Sequence, residues 1–306
     1  MGSILQIKSI SEFHKILGLE PPYHPLISVI SDEENFGRED FDNSLSNIRF
    51  ASQMYTVMFK DNKSGSIAYG RNTYDYQEGT LIFAKPGHVF KTPDKNEMLG
   101  KKGWTMLFHP DLLLKSQLAT KMNSFHYFSY ESNEALHLSN KERTFISHII
   151  NQIKTEATQN IDTHSQKLIV YNLELFLNYA IRFYDRQFYT RSNVNLDRIA
   201  EFENILNAYF EDGLAKHKGL PGIAYFGTQL NLSPNYLSDL LKKETGKSIK
   251  EYLDHYLVAR AKVLLLNSNI TVSELAYKLG FDYPQSFTRL FRKKTGKSPM
   301  QFRKVS

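Results

Sequence analysis

Residues 223–248 and 272–298 write one pattern twice, and a stretch that repeats itself this way has little freedom in how it folds. The first copy runs Ile223-x-x-Phe226-Gly227-x-x-Leu230-x-Leu232, then Leu237-x-x-Leu240-Leu241-Lys242-Lys243-Glu244-Thr245-Gly246-Lys247-Ser248. The second runs Val272-x-x-Leu275-Ala276-x-x-Leu279-x-Phe281, then Phe287-x-x-Leu290-Phe291-Arg292-Lys293-Lys294-Thr295-Gly296-Lys297-Ser298. The offset is 49 residues in the first half and 50 in the second. One residue has therefore been added where Ser233-Pro234-Asn235 faces Asp282-Tyr283-Pro284-Gln285. A repeat of this length present twice is a duplicated supersecondary unit, not a solenoid.

Apolar residues three and four apart predict two short helices in each copy, each with one buried face. Gly227 and Ala276 hold equivalent places, where a small side chain lets the second helix approach closely. Ser233 and Asp282 are expected N-caps, with Pro234 at the favoured first helical position. Gly246 and Gly296 are expected to end the second helices, with lysines in the last turn. This is the geometry of a helix-turn-helix, whose second helix can lie in a DNA major groove.

An αα-hairpin that merely packs against its neighbours would show the same spacing, and charge separates the two. From Lys216 to Ser306 there are 16 Lys and Arg against 6 Asp and Glu, a net of +10. The preceding 215 residues carry 22 against 26, a net of −4. The excess positive charge lies with the duplicated motif, as a phosphate-binding face requires.

These residues resemble the AraC/XylS-type transcriptional regulators. The second copy with its trailing Gly296-Lys297-Ser298-Pro299-Met300-Gln301-Phe302-Arg303 is similar to that family's signature over its length. The resemblance is specific over about 200–306 and weaker before it. It implies two helix-turn-helix units joined by a linker helix, binding double-stranded promoter or operator DNA as a transcription factor. Residues 249–266 suit the linker, having no Gly or Pro. Such a helix would be roughly 25 Å long. It would hold two recognition helices near major-groove segments about 34 Å apart.

Ahead of this, residues 1–135 predict mostly strands. Ile27–Ile30 and Tyr55–Phe59 have strand composition, with a turn cluster at 61–65. Residues 76–88 give turn, apolar strand and Pro-Gly turn, and Gly103–Pro110 a late strand ended by proline. That segment looks like the middle of a cupin-type barrel, a sensor module that could hold a small-molecule effector. The His-x-His pair of metal-binding cupins is missing, since His88 and His109 stand alone. No nucleophile set, phosphate loop or paired-carboxylate motif stands out, so neither enzyme activity nor a cofactor or metal is expected. Trp104 reads as core, with ligand stacking as the other option.

The chain has no cysteine, which excludes disulfides and thiol chemistry. No apolar run reaches a membrane span: Leu168–Ile181 is broken by Asn172, Glu174 and Asn178. The N-terminus has no signal-sequence pattern, so a cytoplasmic location is expected.

Over 139–188 the period becomes helical. Ser139-x-x-Glu142 is a capping box, and a polar break at 162–165 precedes a second helix apolar on more than one face. In similar regulators such helices pair between subunits, which implies a homodimer; burial within one chain is the alternative. Gln187–Asn195 is the expected linker, with Asn195 capping a helix through Phe210.

Candidate DNA contacts lie off the apolar faces. On the first recognition helix these are Asn235, Tyr236, Ser238, Asp239 and Lys242; on the second, Gln285, Ser286, Thr288, Arg289 and Arg292. Gln can read adenine and Arg guanine, while Lys242, Lys243 and Arg292, late in their helices, suit phosphates. Asp239 departs from the basic or polar residue usual there in similar regulators.

The expected fold is an α+β multidomain chain. It has a cupin-like β-barrel sensor over 1–135, a helical linker and dimerisation segment over 136–190, and an all-α tandem helix-turn-helix domain over 195–306. The expected function is sequence-specific transcription regulation, with RNA polymerase a partner if the protein activates. The alternative is a small-molecule-binding or catalytic cupin carrying a secondary nucleic-acid module. A protein-binding role for the helix pairs is disfavoured by the charge partition.

Overall fold

The computed structural model describes residues 4–31, 49–61, 79–91, 102–131, 134–159, 162 and 164–305. The chain divides into two compact units, Met1–Thr190 and Arg191–Ser306. The turn expected past Asp61 and the start of segment 76–88 lie outside the described residues.

The first unit is sheet-rich. A three-stranded sheet has the order β1-β3-β6, from β1 (Leu5–Ile7), β3 (Arg49–Ser52) and β6 (Val89–Lys91), with β1 and β3 parallel. A five-stranded antiparallel sheet has the order β2-β7-β4-β5-β8. Its strands are β2 (Ile27–Ser31), β7 (Lys102–Phe108), β4 (Tyr55–Asp61), β5 (Thr80–Ala84) and β8 (Leu136–His137). The strands expected near 27–30, 55–59, 80–84 and 103–108 are β2, β4, β5 and β7.

Helix α1 (Ile10–Ile16) was not expected in a β region, although Ser9 accepts from the Glu12 N–H as an N-cap should. Ile10 and Phe13 on its inner face join Ile7, Ile30, Met54 and Leu107 in one apolar cluster. After β7, short helical turns lead through α2 (Leu118–Lys121) to Ser129.

Helices α3 (Asn140–Thr158) and α4 (Ser165–Thr190) pack on each other, α3 against β2 and α4 against β8. The Ser139–Glu142 capping box forms in both directions, and Glu142 also takes the Arg186 guanidinium at 2.8 and 3.0 Å. In the break between the helices, Asp162 accepts from the His164 and Ser165 N–H groups, which holds its carboxyl below the usual range. The β5 face carries a dense aromatic cluster. Phe83 meets Tyr127 at 4.5 Å and Phe176 at 6.1 Å, and Tyr127 stacks on Tyr184. The Tyr127 hydroxyl donates to the Leu177 carbonyl, and burial pushes its pKa well up. Trp104 stacks on Phe59 and meets Phe176 edge-on, so it is part of this packing.

The expected linker at 187–195 is helical apart from Arg191. Gln187 is buried; its Oε1 accepts from the His137 N–H and its Nε2 donates to the Ala135 carbonyl. A primary amide thus satisfies the open edge of β8 as a further strand would.

The second unit is all helical: α5 (Ser192–Glu211), α6 (Leu214–Lys218), α7 (Ile223–Leu230), α8 (Pro234–Thr245), α9 (Ile249–Asn267), α10 (Val272–Lys278), α11 (Pro284–Thr295) and α12 (Pro299–Val305). Asn195 does not cap α5. It is buried one turn inside, where its amide donates to Glu244 at 2.7 Å and ties α5 to α8. Among the described residues no helix is long and apolar enough to cross a membrane.

Candidate nucleic-acid interface

The two copies fold into two helix–corner–helix pairs, α7–α8 and α10–α11. Helices α8 and α11 each span 12 residues, begin with proline and end at a left-handed glycine, Gly246 or Gly296. Both corners use one device. Asn231 (φ 53) and Gly280 (φ 85) take the left-handed conformation at equivalent positions. Just after them, Leu232 N–H donates to the Gly227 carbonyl and Phe281 N–H to that of Ala276. These bonds satisfy carbonyls that a helix end leaves open. A Cβ at Gly227 would lie 2.7 Å from the Leu232 carbonyl oxygen, which is why the first copy holds glycine there.

The copies differ where the residue was added. Ser233 caps α8, its hydroxyl accepting from the Tyr236 N–H. The residue before Pro284 is Tyr283, however, so the N-cap of α11 is Tyr283 and not Asp282, and no side chain caps it.

Beneath α8, Leu237, Leu240 and Leu241 are fully buried with Phe226, whose ring meets Phe202 of α5 at 4.7 Å. Beneath α11, Phe287 and Phe291 are fully buried; Phe291 meets Phe302 of α12 edge-on at 5.5 Å. Helix α9 joins the pairs and is about 28 Å long at 1.5 Å per residue. Ser248 and Glu251 form a reciprocal capping box at its start. Its outer tyrosines are held by α5: Tyr252 donates to Glu203, and Tyr256 to Asn207 at 2.8 Å. Burial first, then Glu203, pushes the Tyr252 hydroxyl far above its ordinary pKa.

Arg303 is a residue whose role the sequence concealed. It is named in the sequence only as part of the trailing signature, and its guanidinium donates to the carbonyls of Leu265 and Ile270, pinning α12 to the end of α9.

The named contact residues divide as follows. Asn235 and Lys242 on α8 are exposed, and Ser238 and Asp239 are half-buried. Tyr236 is only 8% exposed and turns inward, away from the outer face that Asn235 and Lys242 share. It lies four residues before Leu240, on the same helix face. On α11, Gln285, Ser286, Arg289 and Arg292 are exposed and Thr288 is half-buried. The Thr288 hydroxyl already donates to the Pro284 carbonyl at 3.0 Å, which leaves it an acceptor only. Arg289 and Gln285 lie four apart on one exposed face, which gives α11 two donors of the kind that read base edges.

Among the described residues, no three His, Asp or Glu side chains come together in a way that could hold a metal. His88 sits exposed against the Phe90 ring, and His109 accepts from the Asp111 N–H.

A family model described as a helix-turn-helix domain matches residues 226–305. The uncharacterized HTH-type transcriptional regulator YijO of Escherichia coli K12 is 42% identical over 73 residues, 24% of this chain and 26% of that protein. The HTH-type transcriptional activator RhaS of Escherichia coli O139:H28 is 33% identical over 109 residues, 36% of this chain and 38% of RhaS. The chain therefore spans between a quarter and two fifths of the length of these curated relatives. Among solved structures, the C-terminal domain of AraT, a response regulator from Geobacillus stearothermophilus, is 28% identical, covering 34% of this chain and 85% of that one, with a TM-score of 0.31.

Proposed function

We propose that the protein is a sequence-specific regulator of transcription of the AraC type, a reading supported by the match of residues 226–305 to a helix-turn-helix domain. Its pairs α7–α8 and α10–α11 act as tandem helix-turn-helix units, with α8 and α11 entering neighbouring major-groove segments. The observation that carries this is the exposed polar face on α8 and α11, at matching register, in a unit of strong positive charge. Base readout falls to Gln285 and Arg289 first, with Asn235, Ser238, Ser286 and Thr288 as further polar contacts. Arg292 and Lys242 serve the phosphates. The test is binding of the intact chain to a duplex as salt rises. With six or so phosphate contacts, log K should fall with log salt at a slope of about −5. A salt-independent or absent affinity would reject the proposal.

The first unit acts as a cupin-like sensor, in the cytoplasm, and assembles the homodimer. A cavity of about 220 Å³ bounded by His14, Leu19, His24, Ile27, Ile30 and Lys154 has room for a small effector. Its readout is a change in the DNA affinity of the intact chain when that molecule is supplied; an affinity that no metabolite moves would remove the sensing role. On α4, Leu168, Tyr171 and Leu175 stay 43–55% exposed in one row, unlike their buried neighbours, and offer an apolar stripe to a second copy. Sedimentation at micromolar concentration should show dimers that Tyr171→Glu dissociates. A monomer throughout would exclude this assembly. RNA polymerase is a partner if binding activates transcription.

A further inference from the structure

Helix α6 belongs, in sequence, to the approach to the first helix pair, yet it is docked on the corner of the second. Gly280 makes the fit possible. A Cβ at that left-handed position would lie 2.9 Å from the Gly219 carbonyl carbon and 3.0 Å from the Ala215 oxygen. The equivalent corner of the first copy carries Asn231, so the second copy's glycine is explained by α6 and not by the corner alone. The Tyr209 hydroxyl donates to the Gly219 carbonyl at 3.0 Å, and Ala215 is buried, so the segment is fixed from both sides.

That docking presents three consecutive cationic or protonatable side chains. Lys216, His217 and Lys218 are all exposed and line one open groove with Tyr277, Tyr283 and Ser286. Ser286 also belongs to the exposed face of α11, so the groove adjoins the proposed reading surface. No Asp or Glu occurs between 213 and 238, and Asp282 is the one carboxylate among the groove-lining residues. Lysines at a helix C-terminus also complement its dipole, but α6 is five residues long and that effect is small for exposed groups.

We propose that Lys216 and Lys218, with His217 between them, bind the sugar-phosphate backbone flanking the base pairs that α11 reads. The contact rests on the DNA-binding reading above and adds to it a second anchor that comes from outside both helix pairs. It positions α11 and carries no base information of its own. An acidic protein surface is the competing occupant.

The experiment compares the intact chain with Lys216→Ala/Lys218→Ala and with Lys216→Arg/Lys218→Arg, on a selected duplex and its single-base variants, across a salt series. The alanine pair should weaken binding to every duplex alike, make the log–log salt slope shallower by about 2, and shorten the protected footprint at the α11 end. The arginine pair should restore all three. If the alanine pair matches wild type while Arg292→Ala still flattens the slope, α6 does not touch DNA and the proposal fails alone. A loss of base preference in the alanine pair would also overturn it, since α6 would then act by holding α11 in place. If the wild type shows no salt-dependent affinity, the DNA-binding reading falls and this contact with it.

Discussion

Phe291→Ala is expected to cost about 3–5 kcal/mol and to lower the melting transition of the second unit by roughly 10–25 °C. Phe291 is fully buried and joins α11 to α12 through Phe302, and its neighbour Phe287 is equally enclosed at 5.8 Å. Removing a fully buried ring loses its transfer free energy and leaves a cavity, and the two terms add. Leu290, one residue away, is only half-buried, and Leu290→Ala should cost clearly less. Circular dichroism on both variants gives the comparison. Equal melting of Phe291→Ala and wild type would mean that the second helix pair is not the packed body described.

Arg289→Ala is expected to erase preference at one base pair, a change of about 1–3 kcal/mol or roughly 5–150-fold in discrimination. The residue is exposed on α11, and its planar fork can give two hydrogen bonds to one guanine. Arg292, a turn nearer the C-terminus and also exposed, should behave differently. Arg292→Ala should weaken all duplexes alike and make the salt slope shallower by about 0.9. Asp239 occupies the place in α8 that Arg289 holds in α11, immediately before the apolar pair. An ionised carboxylate only accepts, so Asp239→Ala should leave affinity equal or higher, with specificity lost only where it accepts from a cytosine amino group. Should Asp239→Ala abolish operator binding while Arg289→Ala leaves affinity and base preference intact, the roles of the two helices are reversed.

What could be read from the sequence was whatever local chemistry decides. The offset of 49 then 50 residues located both helix pairs and the residue added in the second pair's corner, because apolar spacing and the proline and glycine ends are properties of the segment itself. The reading failed where a neighbour decides. Tyr236 is amphipathic, and periodicity alone did not say that it would be buried on the inner side of α8. Asp282 is a good cap by type, yet the added residue moves the helix start past it to Tyr283. Asn195 and Gln187 read as linker residues because they are polar; both are buried with their amides hydrogen-bonded to groups tens of residues away. Arg303 sits in a run of positive charge, and only the proximity of the Leu265 and Ile270 carbonyls shows that it is committed to the fold. Helix α1 did leave a trace, the Ser9-x-x-Glu12 spacing, which the surrounding strand pattern obscured. The position of α6 left none, since nothing in residues 214–218 names Gly280 as its seat.

On the proposed function, two helices of one unit read DNA in neighbouring turns of the major groove. Selection of random duplexes by the intact protein, followed by sequencing of the bound pool, tests it most directly. The bound pool should be enriched in a site with two preferred blocks about 10 base pairs apart, one helical turn. The block assigned to α11 should be the stronger and should contain the guanine whose preference Arg289→Ala removes. A bound pool with no sequence enriched, or a single block unaffected by Arg289→Ala, would contradict it.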